Sequence, residues 1–275
     1  MLTLSQQQFE RVAAIAKERW GLHLPSKKMT LVSSRLATFL RGSRFRDVAE
    51  YLDHLAREAD EEDMLVFFDL LSTNVTSFFR DRQHFDYLER ELFTALARGN
   101  LTLPRREVRM WSAGCSTGPE AYTMAITARD HLPPDGGWDV RILATDLSNF
   151  AVGAARAGVY DPRMLDDVPR DVVSRHFEVR QGASGRTMAV RPHLKEMVRV
   201  ARLNLMEPWP MQGPFDVIFC RNVMIYFDAP TRERLISRFY EMLRPGGVFA
   251  VGSAETLSGV AGAPFKPVLP SLYVK

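Results

Sequence analysis

Two rhythms of apolar and polar positions divide this 275-residue chain. In its first third, apolar residues recur at helical spacing: Phe9, Val12, Ala13, Ala16 and Trp20 within 5–20, and the same plan over 26–41, 48–58 and 60–72. Ser5, Ser26 and Asp47 stand where helix caps are expected. The fourth segment opens with Asp60, Glu61, Glu62 and Asp63, whose charge suits a helix N terminus. A further helix is predicted over 83–98, beyond Asn74-Val-Thr-Ser-Phe-Phe-Arg80. From about residue 107 apolar strands alternate with helical segments. The strands are expected at Val108–Ala113, Val140–Thr145, Phe215–Cys220 and Val248–Gly252, with helices over 119–131, 148–157 and 230–243. Such alternation predicts a mostly parallel, doubly wound sheet, and Leu243–Gly247 reads as the turn from the last helix into its strand. Residues 177–203 break the alternation. Phe177–Arg180, the turn GASGR, Thr187–Arg191 and Val198–Leu203 predict short antiparallel strands, a small β insertion.

Composition adds limits. A hydrophobic share of 46% and a charged share of 25% suffice for a buried core. No apolar run reaches the ~20 residues that span a bilayer, and MLTLSQQQFERV lacks the order of a signal peptide, so a cytoplasmic protein is expected. Cys115 and Cys220 form neither a disulfide framework nor a metal-ligand spacing, so no metal is expected. The net charge of +3 is too small to argue for nucleic acid, but its placement is informative. Lys27, Lys28, Arg35, Arg41, Arg44 and Arg46 lie between Ser26 and Arg46 without one acidic residue. The stretch suits an acidic partner, and the competing readings are a solvated helix face or a nucleic-acid footprint.

The candidate chemistry gathers at Met110–Ile126, a strand end, glycine turn and helix start. Gly114 and Gly118 flank Cys115-Ser116-Thr117, which is neither the G-x-G-x-x-G fingerprint nor a GK[ST] phosphate loop. No Lys or Arg lies between Trp111 and Ala128, so a ligand without phosphates fits better. Asp146, at the end of the second strand, is placed to accept ribose hydroxyls. Together these point to S-adenosylmethionine. The plainer alternative is a helix start, with Thr117 and Glu120 in capping-box spacing and Pro119 at the first helical position. Asn222 and Tyr226, just past Phe215–Cys220, are expected beside the glycine turn at the carboxyl ends of the strands; a strand-end cap and a core aromatic are their plainer readings.

The segments NVTSFFR (74–80), WSAGCSTGPEAYTMAI (111–126), ILATDLS (142–148) and FDVIFCRNVMIYFD (215–228) resemble, in order and spacing, those of the CheR family of chemotaxis receptor methyltransferases. The resemblance runs through nearly the whole chain. It implies an α/β protein: an N-terminal helical domain (1–73), an interdomain segment and helix (74–106), and a class I, Rossmann-like methyltransferase domain (107–275) whose β-subdomain covers about 177–203. It also implies methyl transfer from S-adenosylmethionine to glutamate side chains of chemoreceptors, leaving S-adenosylhomocysteine.

Matched motif by motif, the resemblance implies that Asn74, Thr76 and Arg80 reach the cofactor from the interdomain segment. Glu120 and Asp146 would hold its amino-acid and ribose ends, Asn204 and Leu205 its adenine side, and Gly114, Asn222 and Val223 the rest of the pocket. A glutamate acceptor is ionised at neutral pH, so no general base is required, and Arg80 and Tyr226 are expected to orient it. Lys27, Lys28 and Arg35 become candidate contacts to a glutamate-rich receptor bundle. In some members the β-subdomain binds a receptor C-terminal pentapeptide tether by strand addition. Here Gln181–Arg186 departs from the glycine-proline-histidine type of loop, which leaves tether-dependent and tether-independent docking as alternatives. A monomer is expected, without nucleic acid or membrane insertion. Two rival readings are a class I methyltransferase acting on RNA or a small molecule, and a non-catalytic adaptor.

Overall fold

The chain folds from its N terminus into helices that start and stop where side chains satisfy their ends; a computed structural model describes residues 4–99, 106–132, 134–182, 185–257 and 264–275. Helix α1 (Gln6–Trp20) opens with a reciprocal capping box between Ser5 and Gln8, closes at Gly21 (φ 69°), and buries Phe9, Val12, Ala16 and Trp20. Helix α2 (Met29–Arg41) starts later than the sequence suggests. Ser26–Lys28 form a separate 3-10 turn and make no side-chain cap, so Ser26 is a turn residue whose carbonyl takes the Met29 amide. Asp47 caps α3 (Val48–Arg57) as expected, and Asp60, expected within the acidic start of its helix, caps α4 (Glu61–Leu71). The segment at 83–98 forms α5 (Gln83–Tyr87), a π-helical stretch Leu88–Phe93 and α6 (Thr94–Ala97).

Strands β1 (Glu107–Ala113), β2 (Asp139–Asp146), β7 (Phe215–Cys220) and β8 (Leu243–Val251) agree with the expected parallel set. The described residues add strands β3 (Val159–Tyr160), β4 (Phe177–Gly182), β5 (Gly185–Val190), β6 (Val198–Arg202), β9 (Lys266–Leu269) and β10 (Leu272–Val274). Among the described residues the main sheet runs β6-β2-β1-β7-β8-β10-β9, parallel from β6 to β8 and antiparallel through β10 and β9. Helices α7 (Pro119–His131), α8 (Asn149–Ala157), α9 (Arg170–His176), α10 (Pro192–Lys195) and α11 (Ala229–Met242) complete the domain. Leu243 already pairs with Phe215, so the Arg-Pro-Gly-Gly run lies inside an irregular start of β8.

The small sheet has the order β3-β5-β4, and its membership corrects the sequence reading. Val198–Leu203 does not join the antiparallel insertion. Helix α10 carries the chain away after β5, and β6 then pairs in parallel with β2, from Ile142 opposite Val198 to Asp146 opposite Arg202. Ala183 and Ser184, within the expected hairpin turn, lie outside the described residues.

The two faces of the sheet carry different cores. Val108, Met110, Val217 and Phe219 pack with Phe85, Leu88, Phe93 and the apolar side of α7. Trp111, Ala113, Ile218 and Phe249 join one continuous core with Phe239 of α11 and with Trp20, Leu36, Tyr51 and Phe67 of the N-terminal helices. The helical part therefore shares its core with the sheet, which fixes its position above the strand ends.

Candidate active site

The carboxyl ends of β1, β2 and β7 and the loop after β6 open into one cavity, closed on the opposite side by the extended segment 72–77 and by residues of α1 and α4. Asn74, Thr76, Arg80, Gly114, Glu120, Asp146, Asn204, Leu205, Asn222, Val223 and Tyr226 all line it. The long-range order of the strands thus gathers segments that lie up to ~150 positions apart in the chain.

The turn after β1 is shaped by left-handed backbone at Gly114 (φ 85°) and Ser116 (φ 50°). The amides of Gly114 and Cys115 both donate to the Thr145 carbonyl, at 2.7 and 2.8 Å. Asp146 is gripped from two sides, its Oδ2 by the Ser116 amide at 2.8 Å and its Oδ1 by the Ser148 amide at 3.0 Å. Burial raises its pKa, while these amides favour the carboxylate. The same Ser116 donates its hydroxyl to the Asn74 carbonyl at 3.3 Å, tying the interdomain segment to the turn.

Thr117 and Glu120 do not form a capping box. Gly118, at φ 102°, takes the N-cap position of α7 without a side-chain bond, and Pro119 follows as expected. Tyr160 donates to the Thr117 carbonyl at 2.9 Å, so this turn is held from the neighbouring sheet instead. Glu120 is released from capping: its Oε1 accepts the Ser112 hydroxyl at 2.7 Å and its Oε2 accepts Arg221 at 3.1 Å. Burial pushes the Glu120 carboxyl up in pKa, and the Arg221 and Arg80 charges and the Ser112 hydroxyl pull it back.

Across the cavity, Asn222 also has left-handed backbone (φ 59°). Glu255 holds this loop by accepting the amides of Asn222 at 3.0 Å, Ile225 at 3.0 Å and Gly252 at 2.5 Å. Tyr226 is held from the N-terminal part: its carbonyl accepts the His23 amide at 2.7 Å and the Lys28 ammonium stands 4.5 Å from its ring centroid. Arg80 donates to the Val75 carbonyl at 3.1 Å. Asn204 turns inward on its own loop, its Oδ1 accepting the Met206 amide at 3.0 Å, and the Leu205 carbonyl accepts Arg238 at 2.7 Å.

The donor set tests which ligand fits. The lining holds two carboxylates, Glu120 and Asp146, against the guanidinium groups of Arg80 and Arg221, and Arg221 is already paired with Asp81 and Glu120. Such a site is poor for a pyrophosphate and good for a cationic ligand with hydroxyls and an apolar base, beside Leu147, Leu203 and Leu205. Comparisons with known proteins agree. Residues 7–72 match the model of the CheR methyltransferase all-alpha domain and residues 74–268 that of the CheR methyltransferase SAM binding domain. The chain belongs to the CheR methyltransferase family. It is 33% identical to a chemotaxis protein methyltransferase of Borreliella burgdorferi, over 100% of this chain and 96% of that one. It is 39% identical to chemotaxis protein methyltransferase 2 of Pseudomonas aeruginosa (91% and 87% covered) and 37% identical to a probable chemotaxis protein methyltransferase of Rhizobium etli (88% and 89%).

This CheR-family enzyme uses S-adenosylmethionine, and residues in and behind the cavity wall that the sequence does not single out support the site. Arg221, Asp81, Ser112, Ser116 and Glu255 hold the expected ligand residues in place. Arg221 stands between Cys220 and Asn222, and its signal in the sequence is a charged residue directly after a largely apolar strand. Glu255 and Asp81 had none. Of the candidate receptor contacts, Lys27 is exposed and Lys28 half-buried. Burial and the charges of Lys27 and Arg35 lower the Lys28 pKa. Arg35 donates to the carbonyls of Leu70 and Ser72, a brace for the entry to the interdomain segment.

Proposed function

We propose that the enzyme methylates the γ-carboxylate of glutamate side chains in the cytoplasmic helical bundle of chemoreceptors, with Arg80 and Tyr226 holding that carboxylate. The observation that carries this reading is that Arg80 and Tyr226 line the same cavity as Glu120 and Asp146, with Lys28 directly over the Tyr226 ring. The cofactor supplies an electrophilic methyl group on a sulfonium. Glu120 would take its ammonium end and Asp146 its ribose hydroxyls. Asn204 and Leu205 would meet the adenine, and Asn74, Thr76, Gly114, Asn222 and Val223 would complete the pocket. A carboxylate acceptor arrives ionised, so the residues at the reacting end need only orient it and exclude water. Arg80 offers a fork of N–H donors for that task, and Tyr226 offers a hydroxyl donor.

Lys27 and Lys28 are the proposed receptor contacts, and Arg35 supports them through the segment it braces. Charge complementarity with a glutamate-rich bundle favours this over RNA as acceptor. A receptor C-terminal peptide has a further place to add a strand along β4, an edge of the small sheet. The proposed division is a helical domain 1–73, a connecting segment 74–106 and a catalytic domain from 107, working as a cytoplasmic monomer.

The test is incubation with labelled S-adenosylmethionine and receptor-containing membranes, followed by release of base-labile methyl ester. Arg80→Ala and Tyr226→Phe are expected to lower the rate at saturating cofactor by about 100- to 1,000-fold, the range for removing one oriented donor. Normal rates in both variants reject the assigned roles. Label in RNA instead of receptor rejects the acceptor class, and the absence of any transfer supports the adaptor reading.

A further inference from the structure

Arg221 directly follows β7, with a buried side chain whose guanidinium touches both halves of the site. One terminal nitrogen donates to Glu120 Oε2 at 3.1 Å. The other donates to Asp81 Oδ2 at 2.5 Å and to the Arg80 carbonyl at 2.7 Å. The rings of Phe219 and Phe85 lie 5.7 and 5.9 Å from it. Glu120 faces the cofactor, whereas Arg80 is the residue proposed to hold the acceptor. A single rigid fork therefore connects the two binding tasks.

We infer that Arg221 is a positioning residue that couples the cofactor end of the site to the acceptor end, so that a cofactor bound at Glu120 and a carboxylate bound at Arg80 strengthen one another. The inference rests on the reading of Arg80 given above. Its physical basis is competition for one cation. Arg221 is shared between two carboxylates; a cationic group arriving at Glu120 takes part of that carboxylate's charge, and the guanidinium then bonds more fully to Asp81 and to the Arg80 carbonyl. The turn 78–81 has reason to depend on this bond, since Phe79 and Asp81 both hold left-handed backbone (φ 53° each), which non-glycine residues keep only where the surroundings enforce it. By linkage, an acceptor that fixes Arg80 must improve cofactor binding by the same factor.

The decisive variant is Asp81→Asn. It weakens the arm of Arg221 toward Arg80, keeps the Glu120 carboxylate, and lies on the more open side of the ion pair. S-adenosylhomocysteine affinity is measured by calorimetry, transfer to receptor-containing membranes by ester release, and receptor binding with and without S-adenosylhomocysteine by co-sedimentation. In the wild type the product should tighten receptor binding about 5-fold or more, the scale of ordinary coupling between sites. Asp81→Asn should leave S-adenosylhomocysteine affinity within about 2-fold, lower kcat about 10-fold and abolish the coupling. Arg221→Lys, which keeps the charge without the fork, should lower both affinity and kcat. Wild-type coupling that persists in Asp81→Asn overturns the inference, as does a parallel loss of affinity and rate, which marks a purely structural ion pair. Arg80→Ala separates the two levels: normal transfer there rejects the acceptor reading itself, while impaired transfer beside a normal Asp81→Asn rejects only the coupling by Arg221.

Discussion

The Cγ2 methyl of Val223 lies 2.3 Å from the place that a β-carbon on Gly114 would occupy. The turn after β1 and the loop after β7 are thus in direct contact across the cavity, and Gly114 is required twice, by its left-handed backbone and by its neighbour. Gly114→Ala is expected to cost about 1–3 kcal/mol of stability, the scale for backbone strain and for overpacking. It should also weaken S-adenosylhomocysteine binding. Adding Val223→Ala should recover part of the loss, because it removes the contact and leaves the strain. Chemical denaturation and calorimetry on the single and double variants check both statements.

Glu120 and Asp146 carry the acidic side of the cavity. Glu120→Gln and Asp146→Asn should each lower cofactor affinity by about 10- to 100-fold, the worth of about 1.5–3 kcal/mol for a hydrogen bond involving charge. Titration with S-adenosylhomocysteine is the measurement. Affinities within about 2-fold of the wild type would remove these carboxylates from the binding set.

Lys27 and Lys28 are the proposed receptor contacts. Lys27→Glu is the cleaner reversal, since Lys27 is exposed and Lys28 packs on Tyr226. Receptor methylation by Lys27→Glu should fall several-fold at low salt and approach the wild-type rate as salt screens the contact over a Debye length of ~8–10 Å. Cofactor affinity should stay unchanged. A deficit independent of salt argues against an electrostatic contact.

His84 links stability to pH. Its imidazole is buried, 3.0 Å from the Ser271 hydroxyl, and burial, aided by the charge of Arg221, lowers its pKa to about 4 from 6.5. The unfolded chain therefore binds this proton more readily than the folded one. The contribution of neutral His84 is complete above about pH 6.5 and is lost as pH falls toward about 4. Between pH 7 and 5 that loss is of order 2 kcal/mol, from 1.36 kcal/mol per unit. Urea denaturation at both pH values should show a smaller drop in His84→Gln than in the wild type; equal drops would assign acid sensitivity to other groups.

Much of the fold was legible because it depends on neighbours in the chain. The buried stripe of α1, the caps Ser5 and Asp47, the acidic start of α4, and the bounds of α7 and β7 follow from local periodicity and local hydrogen bonds. So was the ligand class, since the missing phosphate fingerprint around Gly114 and the position of Asp146 are properties of the strand ends themselves.

What the sequence alone could not determine was partnership between distant segments. Val198–Leu203 has the composition of a strand, yet its place beside β2 instead of beside β5 is decided by where α10 sends the chain. Thr117 and Glu120 have the spacing of a capping box, but Gly118 starts the helix and Glu120 turns to Ser112 and Arg221. Asp81 and Glu255 carry no local mark of their roles, and Arg221 carries only its place at a strand end. Arg221 and Asp81 meet across 140 positions of chain, and Glu255 accepts amides 33 and 30 positions away besides that of Gly252, so each charge finds its partners only when the tertiary structure supplies them.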